Sequence, residues 1–86
     1  MVIKKFKRAI GLRYSGDGDR APAITIKGDA LDADEIVALA ERYGVPVVEK
    51  KQLAQALELI ETGAEIPESL YRAVAVVLAE LEKTHR

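Results

Sequence analysis

Cysteine is absent from this 86-residue sequence, and histidine occurs only once, as His85. The missing thiols exclude disulfides, cysteine nucleophiles and zinc sites built on thiolates. A single histidine near the C-terminus also argues against a transition-metal site. We therefore expect neither a metal nor another cofactor.

The sequence also lacks a surplus of charge and any long hydrophobic run. Thirteen Lys and Arg stand against 14 Asp and Glu, which gives a net charge of −1 and argues against nucleic-acid binding driven by bulk positive charge. No segment is apolar over a length that could cross a membrane, and no apolar run follows the basic N-terminus as in a secretory signal. The hydrophobic fraction of 49% and the charged fraction of 31% are typical of a soluble globular protein with one modest core.

Groups that could carry catalysis are scarce. The hydroxyl nucleophiles are Ser15, Ser69 and a few threonines, and the lone histidine lies in the tail. An enzyme would need a nucleophile, a base or a metal cluster arranged together. The sequence therefore predicts a protein that is not an enzyme and has no small-molecule substrate.

The first eight residues are basic because they include Lys4, Lys5, Lys7 and Arg8. Such a cluster could touch an anionic surface such as lipid or RNA, or it could be a solvated arm. We interpret residues 1–8 as a solvated basic arm, followed by a single domain over residues 9–86.

Two alternating segments predict a β-hairpin. Residues 9–14 and residues 23–27 alternate apolar and polar side chains, as half-buried strands do. Residues 15–20 between them are rich in Gly, Asp and Ser and predict an exposed loop. The side chains expected to face inward are Ile10, Leu12, Tyr14, Ile24 and Ile26.

A helix and a buried strand should follow the hairpin. Asp32 and Glu35 have the spacing of a capping pair, and Asp29 could cap the helix one turn earlier. Gly44 suits the left-handed position after the helix, and residues 45–48 predict a short strand that joins the hairpin through a parallel crossover from the Ile24 strand. Because Pro46 lacks an N–H, this strand should lie where one ladder bond can be missing. The apolar residues expected to bury the helix are Ile36, Leu39, Ala40 and Tyr43.

Two more helices are predicted, over residues 51–62 and 67–83. Gly63 ends the former, whose inner face is Leu53, Leu57 and Ile60, and Pro67 opens the latter. The last helix carries a core stripe and a second apolar stripe beside it, which either widens the core face or forms a docking surface. The core stripe is Leu70, Val74, Val77 and Leu81, and the second stripe is Tyr71, Ala75 and Leu78.

These elements predict an α/β fold, in which a small mixed sheet of three or four strands packs with three helices. Several segments, in this order, resemble the C-terminal cytoplasmic domain of the FlhB/YscU family, the substrate-specificity switch proteins of flagellar and virulence type III export. The segments are AIGLRY (9–14), AP (21–22), KG (27–28), YGVPVVE (43–49), LAQAL (53–57) and EIPESLYRAVA (65–75).

The sequence departs from the family pattern at one functional position. Switching members carry Asn-Pro-Thr-His before the first matched strand and cleave themselves there through the Asn side chain. Here the corresponding positions hold Lys4-Lys5-Phe6-Lys7, and the chain contains no Asn. Self-cleavage by the family mechanism is therefore not expected. The family's membrane-spanning half is also missing, as in small stand-alone paralogues or an excised domain.

The resemblance implies a cytoplasmic component or modulator of the export apparatus, located at the periphery of the inner-membrane export gate. Its implied partners are export-apparatus proteins or export substrates. The residues that the family pattern and the second stripe together assign to partner binding are Ala21, Pro22, Tyr71, Ala75 and Leu78. The alternative interpretation is a small RNA-binding protein of the ribosomal L7Ae/L30e type. It is suggested by the segment Gly44-Val45-Pro46-Val47-Val48 after an amphipathic helix, although those proteins usually carry more positive charge.

Overall fold

A computed structural model describes residues 1–14 and 21–84, with side chains described as far as Leu81. The predicted loop over residues 15–20 lies outside the described residues. The elements are β1 (Val2–Lys5), β2 (Arg8–Arg13), β3 (Ala23–Asp29), α1 (Leu31–Arg42), β4 (Val47–Glu49), α2 (Lys51–Leu57), a 3₁₀ turn (Glu68–Leu70) and α3 (Tyr71–Thr84).

The described strands form one mixed sheet in the order β3-β2-β1-β4. β1 is antiparallel to β2 and parallel to β4, and β2 is antiparallel to β3. One apolar cluster joins one face of the sheet to α2 and α3, and another joins the opposite face to α1. The α/β class and the hairpin are confirmed. The predicted crossover from β3 to β4 skips two strands, because β1 and β2 lie between them.

The N-terminal segment corrects the sequence analysis, because it is not a solvated arm. Val2–Lys5 form an inner strand of the sheet, and Ile3 is fully buried between Ile10 of β2 and Val48 of β4. The Met1 amino group donates to the Leu12 carbonyl at 3.1 Å, and burial lowers the pKa of this amine. The sequence pattern did not indicate this strand, because only two apolar residues, Val2 and Ile3, lie between Met1 and the lysines.

A β-bulge changes the inward-facing residues of the hairpin. Leu12 pairs with Ile24 but Gly11 pairs with Ile26, so Thr25 is an extra residue and the register shifts there. An extra residue moves every later side chain to the other face of the strand. Ile24 is consequently buried beside Leu12, whereas Ile26 is half exposed on the α1 side, so the prediction that both face one core is wrong.

The capping predicted for α1 is also wrong. The helix starts after Ala30, which has φ 53° and ψ −118°, and no side chain caps it. Asp29 instead pairs with Arg8, at 2.7 Å between carboxylate and guanidinium.

α1 buries a narrower face than the periodicity predicted. Ile36 and Ala40 are buried as expected, together with Ala33, but Leu39 is half exposed and Tyr43 is 74% exposed. The fully buried stripe of α1 is therefore Ala33, Ile36 and Ala40. Gly44 has the predicted left-handed conformation, with φ 72°.

The chain after α1 gives an edge strand and a helix that is shorter than predicted. β4 lies at the edge of the sheet, the position that Pro46 tolerates. α2 ends at Leu57, after which the Leu59 and Ile60 N–H groups donate three residues back, to the carbonyls of Ala56 and Leu57. The Glu58 carbonyl accepts a hydrogen bond from Lys27 Nζ at 2.9 Å. The Gly63 N–H then donates to the Ile24 carbonyl at 2.7 Å, which fastens the connection to the start of β3.

α3 shows the predicted core stripe. Val74 and Val77 are buried, and Leu70 and Leu81 pack partly buried against the same cluster. The helix is preceded by a 3₁₀ turn, in which the Leu70 N–H donates to the Pro67 carbonyl at 3.0 Å. Pro67 therefore lies just before the helical turn rather than in it.

Candidate functional site

A shallow apolar concavity of about 170 Å³ lies between the start of α3 and the loop end of the hairpin, where β2 ends and β3 begins. We call it the Tyr71 groove. Tyr14 reaches it from the end of β2 and Pro22 from the start of β3, while α3 supplies the opposite wall and the floor. The residues that line it are Tyr14, Pro22, Tyr71, Val74, Ala75 and Leu78.

The structure brings together four of the five residues that the sequence analysis assigned to partner binding: Pro22, Tyr71, Ala75 and Leu78. Ala21 is the exception. It is 2% exposed, so its side chain belongs to the interior and is not available to a partner. Pro22 lines the groove but is buried as well, so the surface open to a partner comes mainly from Tyr14, Tyr71 and Ala75.

The residues of the second stripe of α3 differ in exposure. Tyr71 is 40% exposed and Ala75 is exposed, whereas Leu78 is half buried and packs against the core cluster. The stripe therefore both widens the core face and leaves an apolar surface open. Periodicity alone had left these two possibilities undecided.

Sequence reasoning missed Tyr14 as a site residue. Alternation placed it on the inner face of its strand, but the structure leaves it half exposed at the rim of the groove. Its position as the last residue before a turn-rich loop was the available signal, because the end of a strand is less covered than its middle.

The hairpin side of the groove is held firmly by the connection before α3. The Ile66 N–H donates to the Pro22 carbonyl at 2.9 Å, and the Ile24 N–H donates to the Ala64 carbonyl at 2.9 Å. Ile66 is itself buried in the core. The groove is therefore a largely preformed surface.

The groove offers an apolar surface with two phenol groups at its rim. Among residues 1–14 and 21–81, no charged side chain lines it. Its volume is below the roughly 300–1,000 Å³ of typical small-molecule pockets. Such a concavity can receive an apolar side chain of a protein partner.

Two of the larger concavities among the described residues were not anticipated from the sequence. One, of about 340 Å³, lies between α1 and the sheet near Ile26, Leu39 and Tyr43. The other, of about 600 Å³, lies between α2 and α3 near Leu53 and Val76. The former is bounded mostly by apolar residues, whereas the latter is also lined by Glu49, Lys50, Lys51 and Gln52.

Across residues 1–14 and 21–84, no three or more His, Cys, Asp and Glu side chains are grouped so that they could hold a metal ion. In the same part of the chain, no helix combines the length and the apolar character needed to span a bilayer.

Comparison with known proteins gives a family match over residues 5–81, to the FlhB HrpN YscU SpaS Family. The flagellar biosynthetic protein FlhB of Aquifex aeolicus is 44% identical over 72 residues, which are 83% of this chain and 21% of that protein. The secretion system apparatus protein SsaU of Salmonella typhimurium is 38% identical over 87% of this chain and 22% of its own length. The chain thus spans about a fifth of these two relatives. It spans 83% of the Bacillus subtilis protein YlqH, at 31% identity over 90% of this chain.

Solved structures show the same fold. The cytoplasmic domain of FlhB from Shewanella putrefaciens superposes with a TM-score of 0.86 at 30% identity, covering 93% of this chain and 68% of that one. The PscU C-terminal domain gives 0.83 at 33% identity, covering 90% and 99%. The match supports the resemblance over the ribosomal-protein alternative. By its sequence and its fold, the chain belongs to the FlhB/HrpN/YscU/SpaS family of flagellar and type III export proteins.

Proposed function

We propose that this protein is a non-catalytic component or modulator of a flagellar or type III export apparatus, on its cytoplasmic side. In this proposal it binds export substrates or apparatus proteins through the Tyr71 groove. The single observation that carries the binding role is the convergence of Tyr14, Tyr71 and Ala75 on one open apolar surface. These residues come from segments far apart in sequence.

The composition of the groove supports a protein partner. Aromatic side chains are enriched at protein interfaces because they bury a large apolar area while a polar end remains available for hydrogen bonding. Tyr14 and Tyr71 have this character at the rim. Because the hairpin side of the groove is preformed, binding loses less conformational entropy.

The test is affinity capture from an extract of the native cells, with identification of export-apparatus proteins or flagellar substrates in the eluate. Ala75→Arg places a long cation in the groove and should reduce capture about tenfold or more, as loss of a central contact does. Ala38→Arg is the matched control, because Ala38 is exposed on α1 and does not line the groove. Equal capture by the wild type and the Ala75 variant would refute the assignment of the groove.

Leu78→Asp is a less direct probe. Leu78 is half buried against the core, so a charge there should lower stability as well as change the groove. Circular dichroism and the melting temperature of this variant should be measured before its binding is interpreted. If the variant unfolds, Leu78 serves mainly the core, and the binding assignment then relies on Tyr71 and Ala75.

The proposal also includes the absence of self-cleavage. The positions before Ala9 contain lysines and Phe6, and the chain has no Asn that could attack its own backbone. Purified protein kept at neutral pH for days should therefore show one intact mass. Two fragments divided between Lys4 and Lys7 would contradict the argument.

A further inference from the structure

The two outer strands of the sheet differ in how their free edges are covered. On β3, the Ile24 N–H donates to the Ala64 carbonyl at 2.9 Å, and the Ile24 carbonyl accepts from the Gly63 N–H at 2.7 Å. The connection before α3 therefore covers the edge at the start of β3. β4 lies at the other edge, and among residues 1–14 and 21–84 no connection is bonded along it in this way.

The hydrogen bonds between β4 and β1 show which backbone groups of β4 face outward. The Val2 N–H donates to the Pro46 carbonyl at 2.9 Å, and the Lys50 N–H donates to the Lys4 carbonyl at 3.0 Å. In a ladder, the backbone groups of successive residues point alternately to the two sides of the strand. Over residues 46–50, the even-numbered residues therefore face β1 and the odd-numbered residues face away from it.

Val47 and Glu49 thus direct their N–H groups and carbonyls to the free edge of the sheet. The hydrogen bonds of the described part of the chain leave these groups unused. Pro46 does not protect the edge, because its missing N–H lies on the β1 side of the strand. An edge with free donors and acceptors is a template for a strand of another chain. The backbone itself therefore specifies an extended strand as the occupant.

The edge is complementary to a second copy of itself. When two β4 strands run antiparallel about a two-fold axis at Val48, each Val47 faces Glu49 of the second copy. These residues then exchange N–H···O bonds on both sides of the axis, so every free group of the edge is used. Each carboxylate faces a valine, and no like charges lie opposite each other, whereas a register centred on Glu49 would oppose two carboxylates.

The side chains agree with this register. Val48 packs partly buried against the cluster that joins the sheet to α2 and α3, so the two Val48 side chains meet on that face. The concavity of about 600 Å³ between α2 and α3 reaches the same edge, because Glu49 and Lys50 line it together with Val76. Pro46 of the second copy then lies opposite Lys50, beside the rim of this concavity.

We propose that this protein forms a two-fold symmetric dimer in which β4 pairs with β4 of a second copy and joins two four-stranded sheets into one. Such an interface uses the same surface on both subunits, as in most homodimers. Because β4 has only three residues, the contact is small and the dimer is weak and reversible. We expect a dissociation constant of roughly 10 µM to 1 mM. The pairing uses no residue of the Tyr71 groove, so neither proposal depends on the other.

Sedimentation velocity of the full chain tests the association directly. Between about 10 µM and about 1 mM protein, the average mass should rise from that of one chain toward that of two. Glu49→Pro removes an outward N–H but no bond to β1, and it should raise the dissociation constant about tenfold or more, since two bonds are lost per dimer. Glu49→Ala is the matched control, because it keeps the N–H and should change the constant by less than about threefold.

A disulfide tests the register. The chain has no cysteine, so Val48→Cys introduces a single thiol beside the proposed axis. Opposite residues of a non-hydrogen-bonded antiparallel pair have Cα atoms about 4.5 Å apart, which is within disulfide reach. In a glutathione buffer this variant should form a covalent dimer. Glu49→Cys is the control and should form little, because its two Cα atoms would lie more than about 7 Å apart.

Amide hydrogen exchange gives a readout on the unsubstituted chain. The N–H groups of Val47 and Glu49 should exchange more slowly as the protein concentration rises, because pairing protects them. The Val48 N–H faces β1 and is the internal control, since it should be protected at every concentration.

Four results would overturn the proposal. They are a mass that stays at one chain up to about 1 mM, equal association of the Glu49→Pro and Glu49→Ala variants, equal cross-linking of the Val48→Cys and Glu49→Cys variants, and exchange at Val47 and Glu49 that does not depend on concentration. An edge that pairs only with strands of other proteins would give the first result. Circular dichroism of each variant separates loss of association from loss of fold. Ala75→Arg should leave the dimer unchanged, which separates this test from that of the Tyr71 groove.

Discussion

Replacing Ile3 by alanine tests whether the basic N-terminus is a structural strand. Ile3 has no exposed surface and lies between Ile10 and Val48 in the middle of the sheet. It also belongs to the apolar cluster that contains Leu57 and Val74, which come from α2 and α3. The substitution therefore removes buried methyl and methylene groups at a point where two strands and two helices meet.

The magnitude follows from this burial. Truncation of a buried Ile to Ala costs about 2–5 kcal/mol, and a site enclosed on all sides has little freedom to collapse, so we expect about 3 kcal/mol. Domains of this kind have total stabilities of roughly 5–15 kcal/mol. With a urea m-value of about 1 kcal/mol/M, the unfolding midpoint should decrease by about 3 M.

Urea unfolding followed by circular dichroism measures this change. Leu31→Ala is the matched control, because it deletes the same number of carbon atoms from a residue that is 78% exposed. Its midpoint should change by less than about 0.5 M, as expected for a surface substitution. If Ile3→Ala costs no more than Leu31→Ala, residues 1–8 are a solvated arm after all and the sheet assignment of β1 is refuted.

Three further substitutions test the local backbone and the ion pairs. Ala30→Gly should raise the melting temperature by about 4–8 °C, because Ala30 is held at φ 53° and relief of this strain is worth about 1 kcal/mol; an unchanged or lower value would argue against strain. Gly28→Ala should destabilise by about 2 kcal/mol in urea unfolding, since the added Cβ would lie 2.7 Å from Ile36 Cδ1 and 2.9 Å from Asp32 Cβ; a neutral result would mean that α1 moves away at little cost. Arg8→Met should cost at most about 1 kcal/mol, and less in high salt, because the ion pairs it removes are partly exposed; a loss independent of salt would point to packing of the side chain.

The local sequence pattern was sufficient to predict features that depend on one element or on two adjacent segments of the chain. The hairpin follows from two alternating segments and a turn-rich loop, and Gly44 adopts the left-handed conformation predicted for the end of a helix. The stripe of α3 with Val74 and Val77 follows from helical period alone. These features depend on backbone preferences and on side-chain spacing within one element.

The candidate site was only partly predictable. The second stripe of α3 named Tyr71 and Ala75, and the resemblance named Pro22, but no pattern in the chain showed that they meet with Tyr14 around one concavity. Their meeting requires the connection before α3 to be bonded to the start of β3. That bonding joins segments about forty residues apart, for which sequence spacing gives no signal.

By itself, the sequence determined the α/β class, the hairpin and the core face of the last helix, since each is encoded by the period of apolar residues along a single element. Tertiary structure decided the rest. It placed Val2–Lys5 inside the sheet despite their charge and moved Ile26 to the other face through one extra residue in β3. It also bonded the segment after α2 to β3, through Lys27 to the Glu58 carbonyl and Gly63 to the Ile24 carbonyl. In each case the deciding contact lies with a distant element, and burial or hydrogen bonding there outweighs the local pattern.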